Sequence, residues 1–382
     1  MADDEAKPAD PVARLPFVRA EVAALGPARV PTVEADIRAV GGGQPVLRRL
    51  NLNESAFPPS PLTIAAIQAA ASDVNRYPDP KGRALRAALA TRIGVAAERI
   101  VLGNGSDELI ALIGQMTLER ASSAVLPTPS FPRYLHAAKL AGAMPIAAPV
   151  DAEGANDTAA MLTAIRADTR LVYCATPNNP TGAMLDEDRL RDFVTAVPDR
   201  VLLAIDEAYF EFARHAGGPD AFEVLTAARR GPWVLLRTLS KAYGIAGLRV
   251  GYCVASDATL AEALNRMRGA FNVNVVAQAA ALAALGDEAH TRKLVDDCAR
   301  ERARLSAGLR RMGCEPLPSV ANFVSAPLPI PASESVPLLA QLGVMVGAVG
   351  PAPFDRYIRV TVGTPEDTDV VLAALGELLG QP

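Results

Sequence analysis

Val201-Leu202-Leu203-Ala204-Ile205-Asp206-Glu207-Ala208-Tyr209 decides how this chain folds. Five apolar residues run without a polar break and stop on a carboxylate. A strand with one wet face alternates apolar and polar residues. An unbroken run instead suits a strand covered on both faces, as in a largely parallel sheet. The same signature recurs at Ile100-Leu102, Ala124-Leu126, Leu171-Cys174, Trp233-Arg237 and Val250-Val254, with helical stretches between. Strand alternating with helix predicts an α/β doubly wound domain. In such sheets ligands gather outside the carboxyl ends of the strands. Polar residues collect there: Asn104 to Asp107, Asn179, Asp206 and Lys241 each follow an apolar run.

Outward from this block, Ser60-Pro61 reads as a cap with proline at the first helical position, followed by Ile64, Ile67 and Ala71. A second helix is predicted from Gly82 to Ile93, stopped by Gly94. Beyond residue 256 a long helical region spans Leu260 to Arg311, interrupted near Asn272-Asn274. Strands are expected at Asn322-Ser325 and Tyr357-Val362, and Thr364-Pro365-Glu366-Asp367 caps a final amphipathic helix. This organisation predicts an N-terminal tail and arm (1–30), a large domain (75–274), and a smaller α+β domain from 31–74 and 275–382. No internal repeat is evident.

Composition narrows the function. The 382 residues are 50% apolar and 21% charged, enough for two domains with substantial cores. A net charge of −4 gives no reason to expect a nucleic-acid or anionic-membrane partner. No apolar run approaches a membrane span, and the acidic start (Asp3, Asp4, Glu5) lacks a cationic-then-apolar leader pattern. A cytoplasmic location is expected. Cys174, Cys253, Cys298 and Cys314 are scattered and read as reduced, buried thiols. His136, His215 and His290 stand apart, so no metal site is expected.

Three segments in fixed order carry the chemistry: Pro177-Asn178-Asn179-Pro180-Thr181-Gly182, Asp206-Glu207-Ala208-Tyr209, and Thr238-Leu239-Ser240-Lys241 running on to Arg249. A lysine in a short loop among small residues can be desolvated, which makes its amine nucleophilic and able to form a Schiff base. A carboxylate at a strand end needs a partner; a pyridine nitrogen held protonated would serve. Tyr209 lies three residues on and can donate to a ring oxygen. Two prolines and a glycine fix the turn that holds out the Asn179 amide. Gly103-Asn104-Gly105-Ser106-Asp107 follows a strand and opens a helix, a backbone arrangement suited to phosphate. Ser240 and Arg249 would complete that cradle, and Phe131 could stack on a ring face. Arg359, in a strand otherwise apolar or β-branched, needs an anion, and a substrate carboxylate fits its fork. Together these residues read as a site for pyridoxal 5'-phosphate.

On these motifs the chain resembles the fold-type I pyridoxal-phosphate aminotransferases of the class I/II superfamily, nearest the histidinol-phosphate aminotransferase branch. The resemblance runs from about Asn51 to near the C-terminus, and Leu52-Asn53-Glu54 and Ala321-Asn322-Phe323 also match branch patterns. It implies a mostly parallel central sheet in the large domain and a ping-pong exchange of an amino group between an amino acid, histidinol-phosphate-like or aromatic, and a 2-oxo acid. Lys241 would be the Schiff-base lysine, Asp206 the pyridinium partner, and Asn179 with Tyr209 the holders of the ring oxygen. Gly105, Ser106, Asp107, Thr238, Ser240 and Arg249 would hold the phosphate, and Arg359 with Asn53 the substrate. Arg76-Tyr77-Pro78 matches the segment whose tyrosine reaches the neighbouring subunit's phosphate, implying a homodimer. A decarboxylase or oxidase on the same scaffold shares these motifs. Two departures bear on substrate. Gly347 follows Gly343-Val344-Met345-Val346 where the branch usually has an arginine. Gly26-Pro27-Ala28-Arg29-Val30-Pro31 lacks the branch's Pro-Tyr.

Overall fold

The computed structural model describes Val12, residues 15–26 and residues 47–380. The expectations placed on Pro27 to Pro31, and most of those for the first fourteen residues, lie outside the described residues. Strand β1 is the two-residue Arg48–Arg49. Seven further strands form one sheet: β2 (Ile100–Asn104), β3 (Ser123–Thr128), β4 (Met144–Pro149), β5 (Thr169–Ala175), β6 (Leu202–Asp206), β7 (Trp233–Thr238) and β8 (Val250–Ala255). Their order is β2-β8-β7-β6-β5-β3-β4. The pairs β3–β4, β3–β5, β5–β6 and β6–β7 are parallel, while β8 is antiparallel to both β7 and β2. Since β8 is reversed against both neighbours, β2 points the same way as β5, β6 and β7. Their carboxyl ends therefore meet along one edge.

The unbroken apolar runs have the expected cause. Along β6, Leu203 and Ile205 enter one core while Leu202 and Ala204 enter the other; Leu235 and the pair Val234/Leu236 of β7 divide likewise. Helices cover both faces, so every position of these strands is buried.

In the large sheet and the helices that follow it, two features depart from expectation. Strand β4 was not foreseen: it carries Pro145 and Pro149, lies at the sheet edge and is only partly buried, so it lacks the apolar signature. The Leu260–Arg311 region is three helices, Ala258–Met267, Val275–Gly286 and Glu288–Arg311. Asn274 caps the second, as the sequence break suggests. Asp287 caps the third by accepting the His290 N–H, a second break that nothing in the helical periodicity marks.

The expected caps form. Ser60 accepts the Thr63 N–H ahead of the Pro61–Ala70 helix, and Gly94 ends Arg83–Ile93 in the left-handed region at φ 78°. Near the C-terminus, β9 (Phe323–Pro327), β10 (Val344–Met345), β11 (Gly347–Ala348) and β12 (Tyr357–Thr361) make the smaller sheets. The order β11-β12-β9 is antiparallel, and β10 pairs with β1. Thr364 and Asp367 form a reciprocal capping box on Pro365–Leu378.

Candidate active site

One cavity of about 540 Å³ opens where the strand ends meet β11 and β12. Asn53, Ser106, Asp107, Phe131, Asn179, Asp206, Tyr209, Thr238, Ser240, Lys241, Arg249 and Arg359 all line it. Gly105 adjoins it against Arg249. Tyr77 does not line it: its side chain is 81% exposed and stacks on Phe271, centroids 4.4 Å apart.

Asp206 ends β6, buried, with both oxygens engaged. Its Oδ2 accepts the Tyr134 hydroxyl at 2.7 Å and its Oδ1 the Ala208 N–H at 3.0 Å. Burial pushes the carboxyl above its ordinary value, and these two donors oppose that by stabilising the ionised form. Tyr134 was not anticipated. It sits one helical turn from Phe131 and stacks on Tyr173 at 4.7 Å, so its ring looks like core while its hydroxyl faces the site. The spacing from Phe131 is the only hint in the sequence.

Lys241 occupies the connection between β7 and β8. Its Nζ donates to the carbonyls of Asn53 (2.8 Å) and Leu52 (3.3 Å), both neutral acceptors. Burial, with Arg359 and Arg249 nearby and only Glu54 opposing, draws its ammonium down to about 7. A substantial fraction of this amine is therefore unprotonated near neutral pH.

Asn53 has φ 54°, a left-handed conformation asparagine tolerates, which lets one residue serve several partners. Its Nδ2 donates to the Tyr209 oxygen at 2.9 Å, while Thr361 Oγ1 accepts its N–H and donates to its Oδ1. Burial pushes the Tyr209 phenol up to about 12, so it stays a donor. Asn179 is held in place by its neighbour. Asn178 Nδ2 donates to the Pro129 carbonyl and to Thr181 Oγ1, and Ser130 donates to Asn178 Oδ1. Of the two adjacent asparagines, one braces the turn and the other faces the cavity.

The Gly105–Thr117 helix begins at the cavity wall with Gly105 at φ 76°. A Cβ there would lie 2.6 Å from Arg249 Nη2, and one on Gly251 2.5 Å from the Ser106 nitrogen. Two bare glycines thus let the guanidinium and the helix N-terminus approach each other. Asp107 pairs through its side chain with Arg133 at 2.6 Å. Thr238 Oγ1 donates to Ser240 Oγ at 3.0 Å beside them. Hydroxyls, N–H groups and a guanidinium together suit a phosphate dianion.

Arg359, on β12, is the remaining cation. It donates through Nη1 to Asn179 Oδ1 and through Nη2 to the Asn51 carbonyl, both at 2.6 Å, while its buried Nε has no partner. Burial lowers its proton affinity, though an arginine remains charged. Among the described residues no cluster of metal-ligating side chains occurs, and the four cysteines are free and buried.

An aromatic-ring cofactor with a phosphate, a ring nitrogen and an electrophilic carbon fits this donor set: anion cradle, buried carboxylate, phenol, amide and amine in one cavity. That is the make-up of a pyridoxal-phosphate enzyme. The chain matches the family described as Aminotransferase class I and II over residues 47–375. It is 38% identical to histidinol-phosphate aminotransferase 1 of Mesorhizobium japonicum, covering 87% of this chain and 90% of that protein. It is 40% identical to an aromatic amino acid aminotransferase of Rhodococcus opacus, with the same coverage of both. The crystal structure of histidinol-phosphate aminotransferase from Sinorhizobium meliloti in complex with pyridoxal-5'-phosphate superposes with a TM-score of 0.85 at 31% identity, over 92% of this chain and 95% of that one. The chain belongs to the class I and II aminotransferases and has their fold-type I architecture.

Proposed function

We propose that this aminotransferase uses pyridoxal 5'-phosphate, anchored on Lys241, to exchange an α-amino group between an amino acid and a 2-oxo acid. The observation that carries this is Lys241: an amine of lowered proton affinity sharing one cavity with Asp206, Arg359 and a phosphate cradle. When bound, the cofactor supplies an electron sink for the substrate's α-carbon.

The chain's residues supply the rest. Asp206 keeps a negative charge at the ring-nitrogen end. The Tyr209 hydroxyl and Asn179 amide would donate to the ring oxygen, and Phe131 would cover a ring face. The N–H groups of Gly105 to Asp107, with Thr238, Ser240 and Arg249, hold the phosphate. Arg359, with Asn53 bracing Tyr209 beside it, takes the substrate carboxylate. Lys241 Nζ would take the proton from the substrate's α-carbon.

The working unit is proposed to be a homodimer in which Tyr77 reaches the partner's phosphate. Tyr77 and Phe271 form an exposed aromatic pair away from their own cavity, with Leu62 and Val74 also exposed. Four free, buried thiols suit work in the reducing cytoplasm. No helix among the described residues is long and apolar enough to cross a membrane.

The test is Lys241→Ala, measured with amino donor and 2-oxo acid together. Turnover should fall by roughly 10³-fold or more, the scale for loss of a covalent catalyst. Retained activity without added amine, or release of carbon dioxide by the wild-type enzyme in place of amino transfer, would sink the reading.

A further inference from the structure

We propose that Asn322 is a positioning residue for Lys241: its side-chain amide fixes the Asn53 carbonyl on which the lysine amine rests whenever that amine is not covalently engaged. The inference rests on the reading of Lys241 as the base that moves the proton, and adds the group that aims it.

The geometry at one oxygen supports this. The Asn53 carbonyl accepts Lys241 Nζ at 2.8 Å and Asn322 Nδ2 at 3.1 Å. A carbonyl oxygen has two lone pairs, so the amide occupying one directs the other at the amine. The same Nδ2 donates to the Glu54 carbonyl at 3.3 Å, so a single side-chain NH2 group ties two successive peptides. Asn53 needs such ties. It lies outside every helix and strand, in the left-handed region, where no regular ladder orients its carbonyl.

Asn322 is itself held on several sides. It is buried, and its backbone carbonyl accepts the Val362 N–H at 2.9 Å. Arg302 Nη1 donates to the Val320 and Ala321 carbonyls, both at 2.9 Å, which braces the chain just ahead of it. The Val320 N–H donates to the Gly182 carbonyl at 3.1 Å, docking this segment on the turn that carries Asn179. Thr361, already seen gripping the Asn53 N–H and Oδ1, pairs with Phe323, the residue after Asn322. Two neighbouring strands thus grip Asn53, one on each side of its peptide.

The second carbonyl under the amine, that of Leu52 at 3.3 Å, belongs to the preceding residue. A shift at Asn53 therefore disturbs both acceptors. A lysine amine rides on a flexible four-carbon stem, and a fixed seat selects one of its many rotamers. Misplacing a reacting group by about 1 Å can cost on the order of 10²-fold in rate. A neutral amide sets the seat without adding a charge beside the amine.

Two measurements on the full chain test this. In the first, cofactor-free protein is mixed with pyridoxal 5'-phosphate, and the absorbance change is timed as the amine condenses with the aldehyde and releases water. Asn322→Ala should slow this capture by about tenfold or more. In a Lys241→Ala background no amine is left to aim, so adding Asn322→Ala should change the cofactor dissociation constant by less than about threefold in equilibrium dialysis. In the second, loaded enzyme turns over an α-deuterated amino acid once. Asn322→Ala should lower the rate by about tenfold or more with a larger isotope effect, while the half-saturating donor concentration moves by less than about threefold. Asn322→Asp fills the same space but, when ionised, offers no N–H, and should reproduce both losses. Unchanged capture and turnover rates overturn the proposal. Weaker cofactor retention in the Lys241→Ala background, or loss of the fold in both variants, makes Asn322 a structural residue and overturns it as well. Turnover retained by Lys241→Ala alone would instead remove the reading on which the proposal rests.

Discussion

Lys241 combines two roles that pull on its proton in the same direction. A nucleophile must be unprotonated, and a buried ammonium beside two arginines is costly. The unfolded chain keeps its lysine at the ordinary 10.5, while folding draws it to about 7. Between those values the unfolded state holds a proton that the folded state lacks. Stability of the cofactor-free protein therefore rises with pH across that window; below about 7 the full penalty is present. Lys241→Met removes the titration. The thermal stability of the cofactor-free wild type should climb relative to this variant from pH 7 to 9, by at most about 1.4 kcal/mol per pH unit. Parallel curves would show that the amine is not desolvated. At this scale Asn179, Asp206 and Lys241 were legible because each stands in a polar segment that follows an apolar run. Tyr134 and Asn178 were not: a tyrosine in a helix and one of two adjacent asparagines look ordinary until the tertiary fold aims them.

The strand-to-helix junction at Gly105 shows how an element can be built for a ligand. The left-handed φ and the missing Cβ bring Arg249 against the helix start. In Gly105→Ala the methyl group would displace the guanidinium and strain the backbone by about 1–2 kcal/mol. The dissociation constant for pyridoxal 5'-phosphate should rise at least about tenfold in equilibrium dialysis, with circular dichroism unchanged. Unaltered affinity would remove this junction from the cradle. In the seven-stranded sheet, strand positions were readable wherever both faces are buried, and unreadable at β4, where edge placement and two prolines erase the pattern. The reversal of β8 is a matter of connection length. Residues 239–249 are too few for a parallel crossover, which needs a dozen or more residues and usually a helix. That shortness keeps Lys241 at the carboxyl edge instead of carrying the chain to the far end of the sheet.

For the whole molecule, the exposed pair Tyr77 and Phe271 is the feature a single chain does not account for. Sedimentation should give a species of twice the 40.0 kDa chain. Phe271→Asp should shift it toward monomer and weaken cofactor retention. A monomeric wild type that holds its cofactor would refute the shared site. The change from buried strands to helices was visible in the sequence beyond residue 256. Arg359 was expected in the site, but its direct contact with Asn179 was not, because it joins residues more than a hundred positions apart.

That contact has a consequence for selection in a crowded solution. Asn179 and Asn51 hold the Arg359 fork in place before any substrate arrives, so little ordering remains to be done on binding. A fork prepared in this way greets every small monocarboxylate alike, metabolic bystanders included. Access is then open to all, and true substrates are distinguished by how long they stay once their side chains meet the walls.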